Sequence, residues 1–125
     1  MPGFSAEEPN FTEVGLATVA VERLADDIAV VRVDGEVDMV TAPAVESQVV
    51  ALLKERPSVL VIDLTGVRFF SSAGLAVLAL AHREADEHTE LRIVANDSAV
   101  LRPLELTGLT EDLAIRPSLK AAIEG

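Results

Sequence analysis

The chain contains no cysteine, no tryptophan and no tyrosine. Without cysteine there is no disulfide, no thiolate nucleophile and no thiolate-ligated metal, and the redox compartment is left open. Four phenylalanines are the only aromatics. The core must be built from Val, Leu, Ile and Ala, and little π surface remains for stacking bases. Positive charge is also scarce: ten Lys and Arg against twenty-one Asp and Glu leave a net charge of −11. That balance opposes direct nucleic-acid binding and docking on anionic membranes, both of which need a basic footprint. It suits a solubilising surface or a basic protein partner. Long hydrophobic runs are missing too. Apolar stretches such as Ala73 to Ala81 fall well short of the roughly 20 residues of a membrane span. Met1 to Asn10 has neither a basic n-region nor an apolar h-region, so no secretory signal is read there. A soluble cytoplasmic protein is the expectation.

What is present suits one domain. The chain has 125 residues, half of them hydrophobic, enough for a single full core. Residues 1–13, with Pro2, Gly3, Glu7, Glu8 and Pro9, read as a flexible leader, and residues 14–125 as the domain. Val14 to Leu24 and Ile28 to Val33 read as strands of a hairpin turning at Asp26-Asp27, with Asp34-Gly35 breaking the second. Thr41-Ala-Pro43 opens a helix with a capping hydroxyl and a proline in its first turn. Val45, Val49, Leu52 and Leu53 follow on one face. Ser58 to Leu64 is nearly continuous aliphatic sequence, the mark of a strand buried on both faces. A second helix is expected from Ser72 to Glu87, then a strand at Leu91 to Ala95, completing a β-α-β unit. Asn96-Asp97 caps a third helix over Ser98 to Leu106, with Gly108 past its end. A short strand, Leu113 to Ile115, and a short helix, Ser118 to Ile123, finish the chain. The fold class is α/β: a mixed, mostly parallel sheet of about five strands with about four helices packed mainly on one face.

The richest stretch is Val61 to Val77: a buried strand, a short turn, and a helix opening on Ser71 and Ser72. A serine here can be a plain helix cap. It can also be a modification site, because a helix N-terminus favours negative charge and a phosphate adds about −1.5 to −2. Ser71-Ser-Ala-Gly74 is not the Gly-x-Ser-x-Gly elbow of a hydrolase. The candidate bases, His82 and His88, fall on the polar half of the helix. Asp34, Glu36 and Asp38 alternate; three carboxylates so spaced suit a divalent cation, a solvated loop or a polar recognition surface. Asp63 sits where a receiver domain carries its phosphoryl acceptor, but the only lysines are Lys54 and Lys120, on the first and last helices. Asp63 reads better as a turn former bonding near Thr65-Gly66. Gly66 and Gly74 do not form a phosphate-cradling loop.

Asp63-Leu-Thr-Gly-Val-Arg-Phe-Phe-Ser-Ser-Ala-Gly-Leu75 resembles the signature of the STAS family, which includes anti-sigma factor antagonists and the C-terminal domains of sulfate transporters. Gly35-Glu-Val-Asp38 resembles that family's Gly-Glu-(Leu/Val)-Asp motif, and Leu101 to Leu109 its third-helix ending. The match runs in order from about Val14 to Ile123. The resemblance implies a regulatory binding module, not an enzyme, with no cofactor and no metal. It implies an anti-anti-sigma factor that binds an anti-sigma factor of the GHKL serine-kinase type and so frees a sigma factor. That kinase would phosphorylate a serine at the start of the second helix and weaken the complex; a PP2C-type phosphatase would reverse it. Ser72 falls on the acceptor. Ser71 replaces the family's usual Asp and is a competing acceptor. The partner-binding residues implied are Asp38, Ser71, Ser72, Ala73, Gly74 and Ala76. Surplus apolar surface over Ala73 to Ala81 would extend that patch, and a homodimer is compatible with it. The alternatives are a STAS scaffold or ligand sensor that is never phosphorylated, a transporter accessory domain, and a Ser72 hydrolase for which no base is visible.

Overall fold

The computed structural model describes residues 10–125. It starts with β1 (Asn10–Val14), turns at Gly15-Leu16, and returns as β2 (Ala17–Leu24) antiparallel to it. Asp26 and Asp27 both take the left-handed conformation, φ 65° and 61°, and turn the chain into β3 (Ile28–Val37). Two such residues in a tight turn match the twist of the hairpin strands. Then follow α1 (Ala42–Lys54), β4 (Val59–Phe70), α2 (Ser72–Glu84), β5 (Glu90–Val94) and α3 (Ser98–Leu106). A single 3-10 turn at Leu109–Glu111, β6 (Ala114–Arg116) and α4 (Leu119–Glu124) complete the chain. The sheet runs in sequence order, β1 to β6. Pairing is antiparallel from β1 to β3 and parallel from β3 to β6.

Side-chain alternation along the strands sorts two cores. Val31, Val33, Leu60, Ile62 and Ile93 point to one face and pack with Val45, Val49 and Leu52 of α1, Val77, Leu78 and Ala81 of α2, and Val100 and Leu104 of α3. Ile28, Val30, Val61 and Val94 point to the other face and pack under Ala122 of α4. Each fully buried aliphatic side chain contributes about 1.5–3 kcal/mol. Three helices therefore lie on one face and the short α4 on the other.

The expected α/β layer domain and its mixed sheet are present, with four helices. Four details differ from the sequence reading. The sheet has six strands rather than about five, because Gly15 (φ 55°) breaks the first apolar segment into β1 and β2. Residues 10–13, read as leader, form most of β1; residues 1–9 of that leader lie outside the described residues. The breaks at Asp34-Gly35 and Thr65-Gly66 are not chain turns. β3 and β4 continue through them, pairing as far as Val37 and Phe70 with register shifts after Arg32 and Gly35. The glycine at 35 allows this: its φ is 103°, and a Cβ there would lie 2.0 Å from the Leu16 carbonyl oxygen. Finally, α2 ends at Glu84, not Glu87, where Ala85 becomes extended (ψ 119°).

Extension of β3 and β4 carries both chains to one end of the sheet. The starts of α1 and α2 follow directly there. In open α/β sheets this carboxyl end of the parallel strands is where ligands and partners are met.

Candidate partner-binding site

The Ser71 backbone N–H donates to the Val37 carbonyl at 2.9 Å, which fastens the end of β4 to the end of β3. Ser71 is extended (φ −88°, ψ 179°) and its Oγ accepts from the Ala73 N–H at 3.2 Å. Ser71 is thus the helix cap. Ser72 is the first helical residue and is exposed; among the described residues its hydroxyl has no hydrogen-bond partner. It stands at the positive end of the α2 dipole, open to solvent. The two serines, read from sequence as the acceptor (Ser72) and a competing acceptor (Ser71), have different tasks.

The other α2 residues separate as well. Ala73 is half-buried, Ala76 is exposed, and Gly74 is buried. A Cβ at Gly74 would come within 2.7 Å of the Phe70 ring. Gly74 therefore lets the helix start lie against the sheet's end and offers no surface of its own. The expected apolar surplus on α2 is mostly used internally. Val77, Leu78 and Ala81 are buried and Leu75 is packed against the same core, because α2 sits between α1 and α3. Only Ala76 of that run is exposed.

Asp38 shapes the adjoining loop. Its Oδ1 accepts from the Val40 and Thr41 N–H groups at 2.9 and 3.0 Å. The Thr41 N–H is the main influence holding the carboxyl below its ordinary value; desolvation opposes it, and the Val40 N–H and the Thr41 hydroxyl add to the lowering. Thr41 occupies the cap position of α1 but its hydroxyl does not cap the helix. It donates to the Glu36 carbonyl at 2.8 Å and accepts from the Asp38 N–H at 2.9 Å, closing the loop from within. The loop lifts Met39 and Val40 into solvent, 83% and 67% exposed. Leu16 is 65% exposed in the neighbouring β1–β2 turn; that turn is fastened to the end of β3, its Leu16 carbonyl accepting from the Glu36 N–H at 3.0 Å. This apolar rim was missed from sequence. The available signal was two adjacent apolar residues, Met39 and Val40, between the end of a strand and a helix start.

Asp34, Glu36 and Asp38 do not converge. Asp34 lies beside Gly66, and Asp38 is spent on its own loop. Among the described residues, no three His, Asp or Glu side chains are placed to hold a metal ion. Asp63 is buried. Its carboxylate accepts from the Thr65 N–H and hydroxyl at 3.0 and 2.8 Å and pairs with Arg32 at 3.3 Å. It stabilises the bulge in β4, not a turn, and no phosphoryl group could reach it without breaking that pair. His82 is ten residues along α2 from Ser72, about 15 Å at the helical rise, and His88 lies beyond the helix end; both are exposed.

A mixed sheet whose parallel strands end at an exposed serine and an apolar rim defines a small α/β domain with a surface site instead of a cleft. Residues 20–122 match the STAS domain model, and the chain belongs to that family. It is 34% identical over 98 residues to the anti-sigma-F factor antagonist RsfB of Mycobacterium tuberculosis, covering 78% of this chain and 80% of the relative. An anti-sigma factor antagonist from Mycobacterium paratuberculosis, solved by crystallography, superposes with a TM-score of 0.83 at 41% identity, over 86% of this chain and 92% of that one. The unphosphorylated form of SpoIIAA shares the fold alone, with a TM-score of 0.71 at 15% identity over 85% of this chain and 93% of that one. Among the described residues, no helix is long and apolar enough to cross a membrane.

Proposed function

We propose that this STAS domain is a cytoplasmic anti-sigma factor antagonist, a binding module with no catalysis of its own. Its partner is an anti-sigma factor of the GHKL serine-kinase type, and binding releases a sigma factor. The observation that carries this reading is the exposed Ser72 hydroxyl at the first turn of α2, next to the Ser71–Val37 hydrogen bond that ties this helix start to the strand end from which the exposed Met39 and Val40 follow. Apolar side chains give the face its adhesion, and the serine gives it a place where charge can be switched.

Phosphorylation of Ser72 turns the module off in this scheme, and a PP2C-type phosphatase restores it. A phosphate at the first helical position is favoured within its own domain by the α2 dipole. The domain stays folded, so the effect falls on the complex. A doubly charged group buried against a partner without a cation costs about 3–5 kcal/mol, a hundredfold or more in affinity by about 1.4 kcal/mol per decade. Ser71, whose hydroxyl caps the helix, is the poorer acceptor because phosphorylation must displace that bond.

The test uses purified candidate anti-sigma kinases. Each is incubated with the chain and ATP, the modified residue is located by mass spectrometry, and binding is measured by calorimetry for the unmodified and phosphorylated forms. The expected result is a tight complex with the unmodified form, phosphate on Ser72, and loss of that complex after modification. Equal binding by the two forms would refute the switch and favour a STAS scaffold that works without phosphorylation.

A further inference from the structure

We propose that the groove between the end of β4 and α3 is a second docking surface for the same partner, selective for a segment that pairs an apolar side chain with carboxylates. This rests on the function proposed above. The groove is open, about 310 Å³, and lined by Arg68, Phe69, Ser98, Arg102, Pro103 and Leu106. Phe69 is 51% exposed and Leu106 74%, the only large hydrophobics so exposed among the described residues apart from the rim of Leu16, Met39 and Val40. Arg68 and Arg102 are exposed beside them.

The charge pattern is the decisive feature. The chain carries a net −11, and among the described residues half of its eight arginines pair with a carboxylate of their own protein. Arg23, Arg32, Arg56 and Arg92 do so, with Glu55, Asp63, Asp86 and Glu90. Among the described residues, Arg68, Arg83, Arg102 and Arg116 have no such pair; Arg116 donates to the Gly125 carbonyl instead, and Arg68 and Arg102 are the two that face one apolar groove. A guanidinium beside apolar surface is suited to bidentate capture of a carboxylate, and the apolar walls to the side chain next to it.

Position ties the groove to the serine pair. Arg68 and Phe69 directly precede Phe70, Ser71 and Ser72 in the chain. Phe70 lines the groove and also packs against Gly74 in the first turn of α2. A partner seated over Ser72 therefore meets the rim of Leu16, Met39 and Val40 toward β3 and this groove toward α3. Other occupants fit less well. A symmetric pair of these chains through this face would bring arginines against arginines. Nucleic acid needs a broader basic footprint than two arginines on an acidic domain.

The experiment compares wild type with R68E/R102E against the anti-sigma kinase established as the partner by the binding measurements above. Both altered residues are exposed, and a melting curve like that of wild type verifies the fold. Affinity is expected to fall by about tenfold or more, mainly in the association rate, and the weakening of wild-type binding by salt to be lost. A second variant, F69S/L106S, should bind more weakly with the salt dependence retained. Lysine in place of a contacting carboxylate on the kinase should restore binding to R68E/R102E. Unchanged affinity and salt dependence in R68E/R102E would overturn the inference and leave the proposed function intact, since wild type still binds. Failure of wild type to bind any such kinase would overturn both. A wild-type dimer that R68E/R102E dissociates in sedimentation would assign the groove to a second copy instead.

Discussion

Ser71 and Ser72 are adjacent, yet the structure divides their roles so sharply that two single substitutions should separate them. Ser71→Ala removes the side chain that accepts from the Ala73 N–H at 3.2 Å and leaves that donor without its partner. Loss of a serine cap costs about 1 kcal/mol. With a urea m-value of about 1–3 kcal/mol/M for a domain of this size, the midpoint falls by about 0.3–1 M. Ser72→Ala removes an exposed hydroxyl with no hydrogen bond among the described residues, and alanine is a good first-turn residue. Its stability should lie within about 0.5 kcal/mol of wild type. Phosphate on Ser72 meets the favourable end of the α2 dipole and should add about 0.3–1 kcal/mol. The functional arm runs the other way: S72A should accept no phosphate from the kinase, whereas S71A should still be modified. Urea denaturation followed by circular dichroism reads the first arm and mass spectrometry the second. If S72A lost about 1 kcal/mol while S71A melted with wild type, the cap has been assigned to the wrong serine. If the phosphorylated protein were less stable than the unmodified one, the switch would act by loosening the domain, and the argument from the dipole would be wrong.

Three further predictions concern the frame around the serines. M39S/V40S should keep wild-type stability within about 0.5 kcal/mol, because both side chains are exposed, but weaken kinase binding about tenfold or more by calorimetry; undiminished binding would remove the apolar rim from the interface. Gly35→Ala should cost more than about 2 kcal/mol in urea, since φ is 103° and the new Cβ meets the Leu16 carbonyl oxygen at 2.0 Å; wild-type stability there would mean that the β2–β3 contact yields easily. Asp38 has a folded pKa depressed below its ordinary 3.8. Its contribution is therefore complete above pH 3.8 and lost as pH falls through the lower folded value. NMR signals of the Val40 and Thr41 amides should follow that titration and lose it in Asp38→Asn; amides indifferent to pH in that window would show that the carboxylate does not order the loop.

Some of this was legible residue by residue. The bounds of α3 follow from two local signals, Asp97, whose side chain accepts from the Ala99 N–H, and the left-handed Gly108. The hairpin turn at Asp26-Asp27 is equally local. Ser72 was placed by the motif around it and by the helix that starts there. The bulges of β4 against β3 were not legible, because Asp34-Gly35 and Thr65-Gly66 carry the chemistry of turns. Whether such a pair turns the chain or merely shifts its register depends on a neighbouring strand 30 residues away, as Asp34 opposite Gly66 shows.

Local chemistry thus determined the helices and the Asp97 cap of α3, the aliphatic strands, the acidic charge and the serine pair, because each depends on neighbours within a few positions; the Thr41 hydroxyl, read as a cap, is turned to the Glu36 carbonyl instead. Tertiary structure alone decided what remains exposed. The apolar run of α2 looked like spare surface, but α2 lies between two helices and buries most of it. The spare surface is elsewhere, on Leu16, Met39 and Val40, and on Phe69 and Leu106. These come from separate segments brought together by the end of the sheet. Burial belongs to the packed whole, so periodicity within one segment cannot report which of its apolar residues will meet water.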